Sequence, residues 1–361
     1  MRIALLNLPY DNNYGGNLQR YALMKVLQNM GHDVTHLNFR FHYYLPWYKI
    51  PYTCTKRVIK KYLLGRDLKI FQEFYTQQEY EKLCAVTEPF YQRYIKHTRP
   101  ITDIKRLKQS QNYDAYVVGS DQVWRKKMSG RLLPSMFLDF LPTTISAKRI
   151  AYGVSLGVKE NELSEEEIKQ LAELYRRFDA VSVREDSALD LFKQYGWTMP
   201  KAIQVLDPTM LLPKDDYINL IKSGNTQPST GNLFCYILDK SDEKDSVICT
   251  KANELGLKPF SLGIHDEKPV SVEQWLRSFN DAEYVITDSF HGLVFSIIFN
   301  KPFCLIRNEV RGNARFSSIL NMLHLSTQTT EKDYANLQII LEHARQLSIN
   351  YLDEILKSNK E

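Results

Sequence analysis

Short apolar runs alternate with longer amphipathic stretches along most of this chain. The apolar runs are four to eight residues long, and continuous runs of this length are typical of strands that are covered on both faces. The stretches between them repeat apolar residues at helical spacing. The pattern predicts the strands Arg2–Leu8, Val34–Phe39, Asp114–Gly119, Arg149–Leu156, Ala180–Val183, Leu233–Leu238, Pro259–Leu262, Tyr284–Thr287 and Phe303–Arg307.

Two sets of alternating strands and helices predict an α/β protein with two Rossmann-like, doubly wound domains facing each other across a cleft. We assign residues 1–207 to the N-terminal domain, which carries an insertion at 41–110, and residues 233–325 to the C-terminal domain. Residues 208–232 are predicted to be a linker, because their second half is rich in Gly, Ser, Thr and Pro. Residues 326–361 are predicted to form a helical tail with no strand after it.

The first predicted strand leads into a polar turn, Pro9–Asn17, that contains Gly15 and Gly16. A helix is predicted after it, with apolar residues at helical spacing from Leu18 to Met30. The turn lacks the full G-x-G-x-x-G pattern, so binding of NAD or FAD is disfavoured. Its glycines still permit a ligand to approach the backbone closely.

Residues 41–75 interrupt the alternation. They contain ten aromatic residues and seven basic residues against two acidic ones. Aromatic and basic side chains in alternation suit a membrane interface or stacking on sugars. The alternative, which we favour because the segment lacks a clean amphipathic period, is an irregular insertion packed on the first domain.

The composition is that of a globular protein with room for two ordinary domains. The chain has 361 residues, of which 43% are hydrophobic and 25% are charged. Its formal net charge of +5 suits anionic small molecules or a lipid surface better than duplex DNA. No nucleic-acid-binding motif is present, so we expect no nucleic-acid partner.

Cysteine usage and hydropathy both indicate a cytoplasmic protein. The five cysteines are scattered and show no CxxC spacing, which fits reduced thiols better than disulfides or a zinc site. The N-terminus resembles a strand rather than a signal peptide, and no apolar stretch approaches the ~20 residues that span a bilayer. We expect a soluble protein, with peripheral contact at the inner membrane face through residues 41–75 as an option.

The stretch Tyr284–Arg307 carries the strongest chemical signal. A buried strand runs into the polar turn Asp288–Gly292, and an apolar helix follows. Backbone N–H groups and the helix dipole at such a turn favour anions. His291 would place a titratable group beside this anion pocket, as acid–base chemistry on a phosphorylated substrate requires. The simpler alternative is that Ser289 caps the helix and His291 is only packed.

Polar clusters follow five strand ends, and ligands in doubly wound folds bind at such ends. The clusters are Asn12–Gln19, Gly119–Gln122, Arg184–Ser187, Asp207-Pro208 and Asp288–Gly292. Asp207-Pro208 is a frequent loop pair, and Ser120 and Asp121 are good helix caps, so turn chemistry alone explains both clusters. Arg184 is harder to explain in this way, because its planar fork suits a carboxylate or phosphate. An ion pair with Glu185 or Asp186 is the alternative.

Four of these motifs, taken in order, resemble the signatures of the polysaccharide pyruvyl transferase family. They are Asn13–Gln19, Gly119–Trp124, Ser182–Ser187 and Asp288–Gly292, and the likeness extends over roughly Met1 to Arg307. One departure lies in the first motif, which reads Tyr-Gly-Gly-Asn-Leu-Gln where the family has a form nearer Tyr-Gly-Ala-Val-Leu-Gln.

The resemblance implies a GT-B-like fold, phosphoenolpyruvate as the donor and a sugar diol as the acceptor, with a pyruvate ketal and free phosphate as products. It also implies that Arg184 and His291 lie at the donor site, as the two catalytic residues. Further substrate-binding residues are predicted at Gly15, Gly16, Asn17, Ser120, Asp121, Ser289 and Phe290. The acceptor would be a polysaccharide or its lipid-linked precursor.

These residues suggest a mechanism. Arg184 would clamp the donor carboxylate, while Ser289 and the following helix N-terminus receive the phosphate. His291 would handle the proton that reaches the enol carbon, and Asp121 would deprotonate the sugar hydroxyl. No metal-ligand cluster stands out, so we predict metal-independent chemistry with no cofactor other than phosphoenolpyruvate as co-substrate.

Two other functions suit the same pattern. A nucleotide-sugar glycosyltransferase of GT-B fold would use the Asp288–Gly292 turn for a diphosphate. A non-catalytic saccharide-binding or assembly subunit would keep the fold without the chemistry, although the presence of both Arg184 and His291 argues against it.

Overall fold

The structure is a computed structural model, and it describes residues 1–107, 112–262, 269–308 and 314–358. Within these ranges the chain forms two parallel β-sheets with helices between the strands. The predicted α/β class with two Rossmann-like, doubly wound units is confirmed.

The first sheet has six strands in the order β2-β1-β3-β4-β5-β6, and all neighbours are parallel. Its strands are β1 (Arg2–Leu6), β2 (Asp33–His36), β3 (Ala115–Val118), β4 (Lys148–Val154), β5 (Ala180–Val183) and β6 (Ile203–Gln204). Every residue of β3, β4 and β5 is buried, and most of these residues are apolar, as expected for strands that are covered on both faces. Only β6, two residues at the sheet edge, was not predicted.

The second sheet has four parallel strands in the order β10-β9-β7-β8. They are β7 (Leu233–Tyr236), β8 (Pro259–Phe260), β9 (Tyr284–Thr287) and β10 (Phe303–Leu305). Each coincides with a predicted strand and differs from it by at most two residues, all at the C-terminal end.

Helices connect the strands and cover both sheets. The helices of the N-terminal half are α1 (Tyr14–Asn29), α2 (Ile50–Tyr62), α3 (Gln72–Cys84), α4 (Glu88–Tyr94), α5 (Ile104–Leu107), α6 (Lys126–Ser129), α7 (Leu133–Met136), α8 (Glu165–Tyr175) and α9 (Asp186–Gln194). Those of the C-terminal half are α10 (Lys214–Ser223), α11 (Asp242–Leu255), α12 (Val272–Asp281), α13 (Phe290–Ile298), α14 (Ala314–Met322) and α15 (Tyr334–Lys357). Short 3₁₀ turns lie at Trp47–Lys49, Gly130–Leu132, Pro208–Leu211 and Glu331–Asp333.

The predicted turn at Pro9–Asn17 is partly wrong, because α1 already begins at Tyr14. Asn13 is the N-cap, and its Oδ1 accepts a hydrogen bond from the backbone N–H of Gly16 at 3.1 Å. Gly15 and Gly16 therefore lie in the first helical turn instead of a loop.

The prediction that residues 41–75 are irregular is also wrong, because they contain α2 and the start of α3. The N-terminal unit holds the insertion through its later part, residues 88–91, by ion pairs and buried aromatic rings. Arg40 binds both oxygens of Glu88 at 3.0 and 2.9 Å, and Phe90 and Tyr91 of α4 are buried.

The segment 208–232, expected to be a linker, begins with ordered structure. A 3₁₀ turn and α10 occupy 208–223, and Tyr217, Leu220 and Ile221 of α10 are buried. Only the Gly-, Ser- and Pro-rich remainder lacks regular structure.

The predicted C-terminal helical tail is one long helix, α15, and it packs on the N-terminal sheet. The buried Leu352 and Leu356 belong to the core that also contains residues of β1 and β4. Lys148 Nζ in β4 donates to the carbonyls of Ile355 and Ser358, and the Ser348 hydroxyl accepts from the backbone N–H of Leu206 at 3.1 Å. In the part of the chain that the structure describes, no helix is both long enough and apolar enough to cross a bilayer.

Candidate active site

A cleft of about 340 Å³ lies where the carboxyl ends of the two sheets meet. Its walls come from the start of α1, the loop after β3, the end of β7, and helices α13 and α14. Five of the predicted site residues line it, namely Gly15, Asp121, Ser289, Phe290 and His291. The other four, which are Gly16, Asn17, Ser120 and Arg184, do not.

Local sequence fixes where His291 emerges from the second sheet. The Ser289 hydroxyl caps α13 by accepting from the backbone N–H of Gly292 at 3.4 Å, so the predicted cap is confirmed. Gly292 is needed because a Cβ there would lie 2.1 Å from Thr287 Oγ1. This tight turn places His291 in the first turn of α13. The sequence analysis predicts a loop position for His291, and that prediction is wrong.

The imidazole of His291 is buried against the first turn of α1. A Cβ at Gly15 would lie only 2.0 Å from His291 Nδ1, so the glycine makes room for the imidazole. The sequence analysis predicts that a ligand approaches the backbone at Gly15, but the group that does so is the imidazole of His291 from the second unit. His291 Nε2 lies 3.9 Å from Asp207 Oδ2 and has no hydrogen-bond partner among the described residues.

His291 is neutral at physiological pH. Burial, aided by the positive charges of Arg184 and Arg315, lowers its pKa to about 4 and outweighs the opposing effect of Asp207 and Asp121. The lowered pKa disfavours the imidazolium form, so His291 rests as a neutral imidazole with a lone pair on one ring nitrogen.

Asp207, which sequence analysis treated as part of a loop pair, is the central anion of the site. Its Oδ2 accepts from Gln19 Nε2 at 2.6 Å and from Arg184 Nη1 at 2.7 Å. Its Oδ1 accepts from the backbone N–H and the hydroxyl of Thr209 at 3.0 and 2.7 Å. Burial alone would raise the pKa of Asp207, but Arg184 and His291 with these hydrogen bonds lower it, so the carboxylate stays charged.

Arg184 is buried beneath the cleft and already has carboxylate partners. Besides its bond to Asp207, its Nη2 donates to Asp121 Oδ1 at 3.3 Å, and its Nε lies 4.0 Å from Glu185 Oε2. Burial opposes its charge, yet these carboxylates outweigh burial and raise its pKa. Its guanidinium carbon lies 4.5 Å from the centre of the Phe290 ring, which lines the cleft.

Asp121 joins Arg184 to the cleft. Its φ of +74° is a left-handed conformation that Asp tolerates better than most residues. Burial opposes its charge, but Arg184, Arg315 and His291 together lower its pKa. Its side chain lines the cleft while its Oδ1 contacts Arg184.

The remaining predicted residues support the site from below. The Ser120 hydroxyl is buried, donates to the carbonyl of Gly153 at 2.8 Å and accepts from Gln19 at 3.4 Å. Asn17 Nδ2 donates to the carbonyls of Asp11 and Asn13 at 3.1 and 3.0 Å. Asn17 and Gly16 hold the loop before α1 in shape, and none of the three residues lines the cleft.

Three cationic side chains of the cleft were not predicted, namely Arg125, Lys127 and Arg315. Arg125 directly follows the Gly119–Trp124 motif, so its position in the sequence was a usable signal. Arg315 lies beyond the last motif, so no motif in the sequence indicated that it belongs to the site. Burial, followed by repulsion from Arg184, lowers the pKa of Arg315 to about 10, so it remains a cation at neutral pH.

Within the described ranges, no three His, Cys, Asp or Glu side chains are grouped so that they could hold a metal ion. Metal-independent chemistry stays a prediction.

Two solved structures to which this chain is similar contain a nucleotide sugar or a nucleotide. UDP-GlcNAc 2-epimerase from Neisseria meningitidis, bound to UDP-GlcNAc, is 9% identical with a TM-score of 0.54, and the match covers 99% of this chain and 100% of the epimerase chain. Alr3699/HepE from Anabaena, in complex with UDP, is 11% identical with a TM-score of 0.47 and coverage of 99% and 100%. At this identity the epimerase match shows the fold alone, and that fold is GT-B-like.

No curated protein sequence matches the chain significantly. The family model for polysaccharide pyruvyl transferase matches residues 13–309. This range contains the four sequence motifs and, with them, His291, Arg184 and Asp121. The chain therefore belongs to the polysaccharide pyruvyl transferase family.

Proposed function

We propose that the protein transfers the pyruvyl group of phosphoenolpyruvate to a sugar diol of a polysaccharide or its lipid-linked precursor, forming a pyruvate ketal and releasing phosphate. The observation that carries the proposal is a neutral His291, with a buried and unpaired Nε2, in a cleft whose lining includes the cations Arg125, Lys127 and Arg315 beside the carboxylates Asp11, Asp121 and Asp288. We place this reaction in the cytoplasm, where the scattered cysteines would stay reduced.

The donor's phosphate would bind at the N-terminus of α13. The first backbone N–H groups of a helix lack intrahelical acceptors and favour anions, and Ser289, Phe290 and His291 form this end of the cleft. Arg315 and Arg125 on the facing walls would add positive charge.

The donor's carboxylate would replace Asp121 at Arg184. The Arg184–Asp121 contact of 3.3 Å is the longer of the two hydrogen bonds that the guanidinium makes to carboxylates, and Asp121 is the partner that faces the cleft. This exchange keeps the clamping role expected for Arg184. It also removes a cation from Asp121, which raises the pKa of its carboxyl and makes it a better proton acceptor.

The chemistry then needs two proton transfers. The first sugar hydroxyl adds to C2 of phosphoenolpyruvate while its proton passes through His291 to the methylene carbon, which becomes a methyl group. The bond from C2 to the phosphate oxygen breaks, and phosphate leaves with the electron pair. The second hydroxyl adds to the same carbon, and its proton goes through Asp121 to phosphate, which balances the reaction.

Phosphate release from phosphoenolpyruvate with a panel of saccharides tests the proposal, with mass spectrometry of the sugar product. We expect His291→Ala to lower the rate by about 10²–10⁴-fold, whereas the exposed His343 serves as a matched control and His343→Ala keeps the wild-type rate. Arg184→Ala should raise the donor KM most. Wild-type rates in both site variants, or thermal stabilisation by UDP but not by phosphoenolpyruvate, would refute the proposal.

A further inference from the structure

The segment 47–64, which comprises the turn before α2, α2 itself and the two residues after it, turns large apolar side chains towards solvent. Trp47 is 82% exposed and Leu63 is 77% exposed. No residue between 41 and 76 is buried. The segment also contains nine of the large hydrophobic residues that are exposed in the described chain. We refer to residues 47–64 as the aromatic–basic surface.

Helix α2 is amphipathic, but its apolar face points to solvent, whereas the apolar face of a helix packed on a core is buried. Tyr52, Ile59, Tyr62 and Leu63 recur at helical spacing on one face, and all four are exposed. In α12, by contrast, the equivalent apolar stripe is buried, and it consists of Val272, Trp275, Leu276 and Phe279. The apolar face of α2 therefore has no protein partner within the described chain.

Basic residues flank this apolar face. Residues 47–66 contain six basic residues and no acidic one. In the longer segment 41–75, seven basic and two acidic residues leave an excess of five positive charges, which equals the formal net charge of the whole chain. The net charge of the protein is thus accounted for by the part that exposes its apolar residues.

A short chain of contacts connects the aromatic–basic surface to the cleft. Arg57 of α2 binds both oxygens of Glu73 in α3 at 2.5 and 2.6 Å. Tyr80 of α3 donates to the carbonyl of Tyr10 at 2.6 Å, beside the loop before α1. A groove of about 280 Å³ between α3 and that loop is lined by Leu83 and by Asn12, which also lines the cleft.

We propose that the aromatic–basic surface binds an anionic lipid bilayer, with Trp47 and the exposed face of α2 in the headgroup region and the lysines on lipid phosphates. Tryptophan and tyrosine favour this region, and lysines extend their charges from it to the headgroups. A second copy of the chain suits the surface less well, because a two-fold contact would bring the same basic patches together. The proposal stands apart from the enzymatic function, since vesicle binding is measured without donor or acceptor.

Trp47 is a built-in reporter for this test. The chain has four tryptophans, and the other three, Trp124, Trp197 and Trp275, are at most 4% exposed. Vesicles of phosphatidylglycerol should shift the emission of Trp47 to the blue, and lipids brominated along their acyl chains should quench it. Phosphatidylcholine vesicles should do neither at the same lipid concentration, because they lack the anionic headgroup.

Co-sedimentation with the same vesicles tests the two components separately. Ile59→Ser with Leu63→Ser should weaken binding about tenfold or more, as should Lys56→Glu with Lys60→Glu and Lys61→Glu. Matched controls use exposed residues elsewhere, namely Ile339→Ser with Leu347→Ser, and Lys159→Glu with Lys169→Glu and Lys201→Glu. Both controls should bind as the wild type does.

Absence of wild-type binding to phosphatidylglycerol vesicles would overturn the proposal. Equal losses in the surface variants and their controls would do so as well. A wild-type dimer in light scattering that becomes a monomer in the Ile59→Ser, Leu63→Ser variant, without vesicle binding, would assign the surface to self-association. Because none of the substituted side chains is buried, unchanged thermal unfolding is expected in every variant.

Discussion

At the scale of single residues, the site depends on a glycine in one unit and a histidine in the other. Gly15 leaves the space in which His291 lies, and Asp207 and Arg184 set the charge around the imidazole. Sequence analysis identified the histidine and the arginine from their motifs. It missed Asp207, because a carboxylate before a proline is common in loops and nothing local reveals that four hydrogen bonds converge on it.

The contact between Gly15 and His291 can be tested by adding one methyl group. Gly15→Ala places a Cβ 2.0 Å from Nδ1, so the imidazole must move and phosphate release should fall about 10²–10⁴-fold. Gly16→Ala is the matched control, because its Cβ would have no neighbour closer than 3.6 Å. We expect it to keep nearly full activity. Equal activities for the two variants would contradict the role assigned to Gly15.

Burial of neutral His291 predicts a specific loss of stability in acid. Its pKa is 6.5 when unfolded and about 4 when folded, so the unfolded state binds more protons between these values. The stabilising contribution is complete above pH 6.5 and is lost as the pH falls towards 4. Between pH 7 and pH 4, the free energy of unfolding of the wild type should therefore fall by about 3 kcal/mol more than that of His291→Gln. Urea denaturation of both proteins at the two pH values measures this difference. A pH-independent difference would show that His291 is not buried in its neutral form.

At the scale of elements, apolar periodicity predicted nine of the ten described strands, because buried parallel strands are apolar on both faces. It failed for β6, whose two residues are too few to form a pattern. It also failed for α2, where the apolar face points to solvent and the segment as a whole is rich in tyrosine and lysine. The start of α13 was misplaced because His291 and Gly292 resemble turn residues while serving in the first helical turn.

The cap of α13 should affect both stability and donor binding. Ser289→Ala removes the hydroxyl that accepts from Gly292 and should cost about 1 kcal/mol of unfolding free energy. It should also raise the donor KM, because the same residue lines the cleft. Ser164→Ala removes the N-cap of α8, a helix that does not line the cleft, and should cost a similar free energy with an unchanged KM. Equal donor KM values in the two variants would show that Ser289 caps the helix without contributing to donor binding.

At the scale of the whole molecule, α15 completes the first unit with the last part of the chain. Its side chains enter the core around β1 and β4, and its carbonyls accept from Lys148. The sequence predicted the helix but not its destination, since helical periodicity says nothing about which sheet a face will cover. The division of the chain into domains at 207 and 233 stays a prediction.

A leucine pair on α15 tests this packing. Leu352 is fully buried, and Leu347 is 58% exposed on the same helix. Leu352→Ala should lower the free energy of unfolding by about 2–5 kcal/mol, because it leaves a cavity in the core. Leu347→Ala should change it by less than about 0.5 kcal/mol. Urea denaturation measures both, and equal values would show that α15 is not docked.

The ring of Tyr14 stacks on Trp275 at 5.3 Å, and its hydroxyl donates to the carbonyl of Val270 at 2.6 Å. The first turn of α1 is thereby fastened to α12 beside the imidazole. A hinge motion that separated the two sheets would have to break the Tyr14 contacts and, at the same time, move Gly15 away from His291. The geometry thus favours a cleft whose walls are already assembled before any ligand binds.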